Sequence, residues 1–92
     1  MILQLTESFQ ADVRSLEAQD RARLLDALLA LPDAFRSPDR HSGLGLRKIH
    51  ASGIWEARVG LQLRLVLGLE RNTAVLLRAG SHQEISRYLR RL

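Results

Sequence analysis

The apolar positions of this chain fall into two regimes. Residues 2–6 alternate weakly and predict a short first strand, after which Thr6 or Glu7 is placed to open a helix. Phe9, Val13 and Leu16 recur at i, i+4 and i+7, which predicts an amphipathic first helix. A second stripe of Leu24, Leu28 and Leu31, with Leu25 and Leu29 beside it, predicts a helix over 20–31. Pro32 is expected to end that helix, because proline has no amide to donate and its ring clashes with the preceding turn. Residues 32–45 hold both prolines and two of the six glycines and are read as one long loop.

Beyond the loop the period changes to two. Residues 46–50, 54–59, 63–69 and 73–79 predict four strands, broken by Ser52-Gly53, by Gly60 and by Arg71-Asn72, and such spacing predicts an antiparallel meander. Ser81 or His82 then begins a last helix in which Ile85, Leu89 and Leu92 recur on one side. The expected fold class is therefore α+β, with an N-terminal strand and a helical hairpin packed on an antiparallel sheet of four or five strands, followed by a C-terminal helix. One domain is expected over 1–92, since a chain of 92 residues is too short for two cores.

The turn at Gly60 allows a register to be derived. Trp55, Ala57 and Val59 on one arm and Leu63, Leu65 and Leu67 on the other must share the buried face, so 55 pairs with 67, 57 with 65 and 59 with 63. That register sets Arg58 opposite Arg64 on the other face, with Glu56 two residues along. Like charges facing each other across strands are unfavourable unless an anion sits between them. Lys48 and His50 alternate on the preceding strand with Ile49 opposite in parity, and are expected to join the same face. One reading is a solvated face in which Glu56 bridges the two arginines. The other is a phosphate site, because clustered Arg and Lys suit phosphate recognition.

Composition sharpens that choice. There are 14 basic residues against 10 acidic, giving +4, and 13 of the 14 are arginine. Residues 1–32 are net −2 and residues 33–92 net +6, so the positive field belongs to the strand-rich part. No cysteine is present, which excludes a disulfide framework, a thiolate nucleophile and a cysteine zinc site; no metal or other cofactor is expected. No apolar run approaches the roughly 20 residues of a membrane span, and the first residues lack the pattern of a signal peptide, so a cytoplasmic location and no membrane partner are expected.

The chemistry such a face could perform is RNA cleavage. A 2′-hydroxyl must lose a proton, a phosphorane must be stabilised and a 5′-oxygen must gain a proton. Histidine titrates near neutrality, positioned acids and bases contribute roughly 10² to 10⁴ in rate, and arginines aimed at the phosphorane supply electrostatic stabilisation. His82, just after Gly80, is placed to come over the end of the sheet; as a lone histidine its other reading is a surface or capping residue. Arg78 reads first as a member of a surface pair, and Tyr88 as a flank of the last helix's apolar stripe.

The segments Gly43-Leu44-Gly45-Leu46-Arg47-Lys48-Ile49, Ile54-Trp55-Glu56-Ala57-Arg58-Val59-Gly60, Leu63-Arg64-Leu65-Val66-Leu67 and Leu76-Leu77-Arg78-Ala79-Gly80-Ser81-His82-Gln83-Glu84 resemble the RelE/ParE superfamily of type II toxins over nearly the whole chain. The resemblance implies the toxin of a type II toxin–antitoxin system. In the RelE-like branch that is a metal-independent, ribosome-dependent mRNA endoribonuclease leaving a 2′,3′-cyclic phosphate, with a cognate antitoxin, the ribosome and mRNA as partners. The alternatives it implies are a ParE-like inhibitor of DNA gyrase and a degenerate antitoxin-binding member. By the same resemblance Arg58, Arg64 and His82 stand at catalytic positions and Lys48 at a basic one; Lys48, His50, Glu56, Arg78 and Tyr88 are the candidates for binding RNA. Glu56 departs from members with a lysine there. Ser86 stands where many members carry a tyrosine, and Tyr88 lies about 200° further round the helix.

Overall fold

The computed structural model describes residues 1–37, 44–50 and 52–92, with His50 described by its backbone alone. Its elements are β1 (Ile2–Leu5), α1 (Glu7–Ser15), α2 (Ala18–Arg36), β2 (Arg47–His50), β3 (Ile54–Arg58), β4 (Leu63–Glu70), β5 (Thr73–Ser81) and α3 (His82–Arg90). The expected order is observed. The sheet has five strands in the order β1-β5-β4-β3-β2. β2 to β5 form the expected antiparallel meander, whereas β1 joins β5 in parallel, so the sheet is mixed rather than wholly antiparallel.

Why β1 lies there is visible in its successor. Thr6 caps α1 by accepting from the Phe9 amide at 3.2 Å, and its hydroxyl donates to the Leu76 carbonyl at 2.8 Å. The cap thus ties the first helix to β5 at the level where β1 stops. Phe9 is then carried into the core with Leu24, Ala27, Leu31 and Ala34 of α2 and with Ala57, Leu63, Leu65, Leu67, Ala74 and Leu76 of the sheet. Burying a side chain the size of leucine stabilises by about 1.5–3 kcal/mol, so this face of the sheet dominates the energetics.

The second helix does not end at Pro32. It runs to Arg36 with Pro32 inside it. Ala34 is buried and Phe35 meets Trp55 edge to face at 5.2 Å between ring centroids, so tertiary burial beyond the proline outweighs the lost helical hydrogen bond. The expected loop over 32–45 is correspondingly shorter at its start, and residues 38–43, with His41 and Gly43, lie outside the described residues.

The other face is not bare, contrary to the sequence reading. Val66 is fully buried, and by register it points away from the main core with Glu56 and Arg78. Ile85 of α3 is buried as well, and the Arg78 guanidinium lies 5.6 Å from the Tyr88 ring centre. The last helix therefore lies across β4 and β5 on the face opposite α1 and α2.

Candidate nucleic-acid interface

The hairpin of β3 and β4 has the derived register. Trp55 pairs with Leu67, Ala57 with Leu65 and Arg58 with Arg64. The Val59 amide donates to the Leu63 carbonyl at 3.0 Å, which closes the turn at the expected position. Arg58 is exposed and Arg64 half-buried, and neither meets a carboxylate among the described residues. The Arg64 Nη1 instead donates to the carbonyls of Gly60, Leu61 and Leu63 at 3.2 to 3.4 Å. The pleat sets the two cations on one face, with no carboxylate among the described residues to neutralise them.

Gly45 contributes to this arrangement. Its φ of +53° suits glycine, and a Cβ there would stand 3.5 Å from the Arg58 Cβ. The neighbouring Leu44 carbonyl accepts from the Arg58 amide at 2.6 Å, so the strand bearing Arg58 is braced on the side away from β4.

His82 is the first residue of α3 and is exposed. Its amide donates to the Gln62 carbonyl at 2.9 Å, and the preceding pairs are Ser81 with Leu63 and Gly80 with Arg64. The histidine thus stands at the same end of the sheet as the two arginines. Its placement comes from a capping box: the Ser81 hydroxyl accepts from the Glu84 amide at 3.1 Å, and the Glu84 carboxylate accepts from the Ser81 amide at 2.9 Å. That bond from Ser81 holds the Glu84 carboxyl below its ordinary value. Ser81, rather than His82, is the helix cap.

Lys48 does not join the cluster. It pairs with Trp55, and paired residues share a face, so its position belongs to the helix-covered side; Arg47, the partner of Glu56, takes the place expected for it. The shift arises at an irregularity between Lys48 and His50, which reverses the parity counted from the sequence. His50 pairs with Ile54 through its backbone, and its side chain lies outside the described residues. Glu56 does not bridge Arg58 and Arg64. It is 8% exposed and pairs with Arg47 at 3.4 Å.

Arg78 and Tyr88 form a separate group that the sequence did not connect to Asp12. The Asp12 carboxylate accepts from Arg78 Nε at 2.7 Å and Nη2 at 3.0 Å, and from the Ala79 amide at 2.9 Å. Beyond Leu76 the outer edge of β5 has no partner strand among the described residues, and Asp12 of α1 satisfies the amide that a strand would have taken. The Asp12 hydrogen bond raises the Arg78 guanidinium further above its usual range, so it stays charged and already neutralised. Its charge is paired with Asp12.

A cleft of about 560 Å³ lies at the same end of the molecule, lined by Leu16, Asp20, Arg23, Leu61, Leu63 and Glu84 among others. It does not contain Arg58, Arg64 or His82, which lie on an open surface. Among the described residues no cluster of His, Cys, Asp and Glu could hold a metal ion, and no helix is long and apolar enough to cross a membrane.

The same architecture occurs in solved toxin structures. A chain of the RelB–RelE antitoxin–toxin complex from Methanococcus jannaschii superposes with a TM-score of 0.68 at 19% identity, over 92% of this chain and 96% of that one. A chain of the toxin–antitoxin complex RelBE2 from Mycobacterium tuberculosis gives 0.65 at 22% identity, over 88% and 96%. A YoeB/ParE toxin from Agrobacterium tumefaciens gives 0.65 at 19%, over 89% and 99%. No protein-family model matches the sequence, and no curated protein matches it significantly. At these identities the likeness is one of fold, and the chain has the RelE-like fold.

Proposed function

We propose that this chain, built on the fold of RelE-type toxins, is the toxin of a toxin–antitoxin system and acts as a ribosome-dependent mRNA endoribonuclease in the cytoplasm. The observation that carries the reading is the cross-strand pair Arg58 and Arg64, two cations held on one open face with no carboxylate partner among the described residues. The proximity of the His82 backbone to that end of the sheet supports it.

In this mechanism Arg64 leaves the turn carbonyls to hold the scissile phosphate, and Arg58 stabilises the phosphorane beside it. Each donor of this kind contributes roughly 10² to 10³ in rate. His82 transfers a proton to or from the ribose and leaving oxygens, and the 2′-oxygen attacks its own phosphate, giving a 2′,3′-cyclic product. The open surface suits a macromolecular substrate presented by the ribosome. Matched structures include complexes named for toxin and antitoxin together, which supports a cognate antitoxin as the protein partner.

A second reading, inhibition of DNA gyrase, draws on the structural match named YoeB/ParE. One experiment separates them. Purified protein is added to a cell-free translation reaction with a defined mRNA, with and without ribosomes, and cuts are mapped by primer extension beside Arg64→Ala. Ribosome-dependent cuts lost in the variant are expected. Intact mRNA, with inhibition of gyrase supercoiling in parallel, would establish the second reading instead.

A further inference from the structure

The outer face of α2 carries a second apolar stripe that the core does not use. The helix buries Leu24, Ala27, Leu31 and Ala34, whereas Leu25 is 56% exposed and Leu29 71% exposed. At about 100° per residue the two exposed leucines stand roughly 160° round from the buried set. Ala18 and Ala22 are exposed too and extend the stripe toward the start of the helix. The apolar positions 18, 22, 25, 29 and 32 advance by alternate steps of four and three, the interval at which one helix meets another along a seam. Leucines repeated one turn apart on such a line mark an interaction surface, unlike a scatter of single apolar residues.

The charges beside the stripe say what it meets. Arg21 flanks Leu25 by about 40° on one side, and Asp26 flanks it by about 100° on the other. Neither has an oppositely charged partner among the described residues, and the Arg21 guanidinium donates to the Leu16 carbonyl. In two parallel helices sharing a seam, a residue on one flank faces the residue five positions later on the opposite flank of the other helix. Arg21 and Asp26 are five positions apart. Two copies of this chain therefore form the ion pair twice, Arg21 of each with Asp26 of the other, about a two-fold axis. Antiparallel pairing about the same leucines would set Asp26 beside its own copy, where like charges repel.

We infer that this face is a contact between two copies of the chain, paired in parallel along α2 with Ala22, Leu25 and Leu29 of each helix on the shared seam. The contact lies outside the nuclease reading and stands whether or not the protein cuts RNA. A seam of about three turns buries less than the roughly 1,600 Å² of a standard interface, so the dimer is weak and its population depends on concentration. Arg58 and Arg64 lie on the sheet face away from α2, so each copy keeps them open.

The test is sedimentation equilibrium of the full chain from about 10 μM to about 1 mM, for wild type, Leu29→Glu, Arg21→Asp, Asp26→Arg and the combined Arg21→Asp/Asp26→Arg. The wild-type mass should rise from 10.4 kDa toward twice that value. Leu29→Glu should hold it at the monomer, and because Leu29 is exposed the urea midpoint at low concentration should match wild type. Each single reversal turns two attractive pairs into repulsive ones and should raise the dissociation constant about 5- to 10-fold. The combined reversal should return it to within about twofold of wild type. The chain has no cysteine, so Ala22→Cys gives an independent reading. Parallel pairing sets residue 22 against its own copy, within the roughly 4–7 Å between Cα atoms that a disulfide spans. Mild oxidation should cross-link Ala22→Cys and leave Gln83→Cys, exposed on α3, monomeric.

A wild type that stays monomeric over the whole range would overturn the contact and leave this face to a different chain. A dimer that survives Leu29→Glu would place the interface elsewhere and overturn it as well. A combined reversal no better than the single ones, or equal cross-linking of Ala22→Cys and Gln83→Cys, would overturn the parallel arrangement.

Discussion

Arg58 and Arg64 are Cα partners across β3 and β4, and their charges face the same side with no carboxylate between them among the described residues. A like-charged cross-strand pair destabilises the sheet by roughly 0.2–1 kcal/mol in the absence of a counter-ion. Arg58→Gln should therefore raise the melting temperature slightly in phosphate-free buffer while lowering cleavage by about 10² or more. Inorganic phosphate should raise the melting temperature of the wild type more than that of the variant, since only the intact pair binds it. Thermal melts with and without phosphate decide this; an equal response in both proteins would show that the pair does not bind the anion.

Asp12 should matter more for stability than its place on a short surface helix suggests. It accepts three hydrogen bonds from Arg78 and Ala79 at the free edge of β5. Asp12→Ala leaves a guanidinium and a strand amide without their acceptor, a loss of about 1.5–3 kcal/mol. Urea denaturation should show a lower midpoint at an unchanged slope. Asp12→Asn, which keeps an acceptor for the Ala79 amide, should recover part of the loss.

These relationships differ in how far the sequence exposes them. The register of β3 and β4 can be derived because a short turn and six apolar residues leave one parity that buries them all. Lys48 lies on the face opposite to the one its alternation predicts for a related reason: parity counted along β2 is broken by the irregularity before His50, and no residue type announces it. The cover over Val66 is invisible in sequence because Ile85, Leu89 and Leu92 show that α3 has an apolar side, not which sheet face receives it. The link from Asp12 to Arg78 spans 66 positions and depends on where β1 stops, which no local pattern encodes. The helix past Pro32 is a contest between local propensity and distant burial, won by Ala34 and Phe35 against the sheet.

Pro32 offers a direct test of that contest. With proline inside α2, the helix lacks one amide hydrogen bond and carries a ring against the preceding turn, a cost of about 3 kcal/mol when nothing relieves it. Pro32→Ala should stabilise the protein by about 1–3 kcal/mol, reduced by the greater freedom the unfolded chain gains. The check is the urea midpoint together with the fluorescence of Trp55, the one tryptophan, which packs against Phe35 just beyond the proline. A destabilised variant with shifted Trp55 emission would mean that the proline ring itself positions Phe35.

Lys48 and Arg47 provide a paired test of the strand register. Lys48 shares the helix-covered side with Trp55, while Arg47 lies beside Glu56 on the face of Arg58 and Arg64. Lys48→Gln should leave ribosome-dependent cleavage within about twofold of wild type, the scale of an exposed charge. Arg47→Gln frees the buried Glu56 carboxylate on the reactive face, so it should both weaken the fold and lower the apparent affinity for RNA through repulsion. Reversal of this order, measured as KM for the same programmed ribosomes, would return Lys48 to the RNA-binding face.

The capping box at the start of α3 sets a stability that depends on acid. Hydrogen bonds from Ser81 lower the Glu84 carboxyl below its ordinary value of 4.5. A depressed carboxyl contributes stability that is fully present above the unfolded value and is lost as pH falls through the lower folded one. Wild type should therefore exceed Glu84→Gln in urea midpoint at neutral pH, and the gap should close on acidification below 4.5. Ser81→Ala removes the acceptor of the Glu84 amide and should cost about 1 kcal/mol at neutral pH. Because this cap fixes the direction in which α3 leaves β5, the same substitution should lower cleavage by displacing His82, with a larger effect on kcat than on KM. A Glu84→Gln gap that stays constant from neutral into acid would show that the carboxylate acts as a neutral acceptor only, and that its charge does not help hold the helix that carries His82.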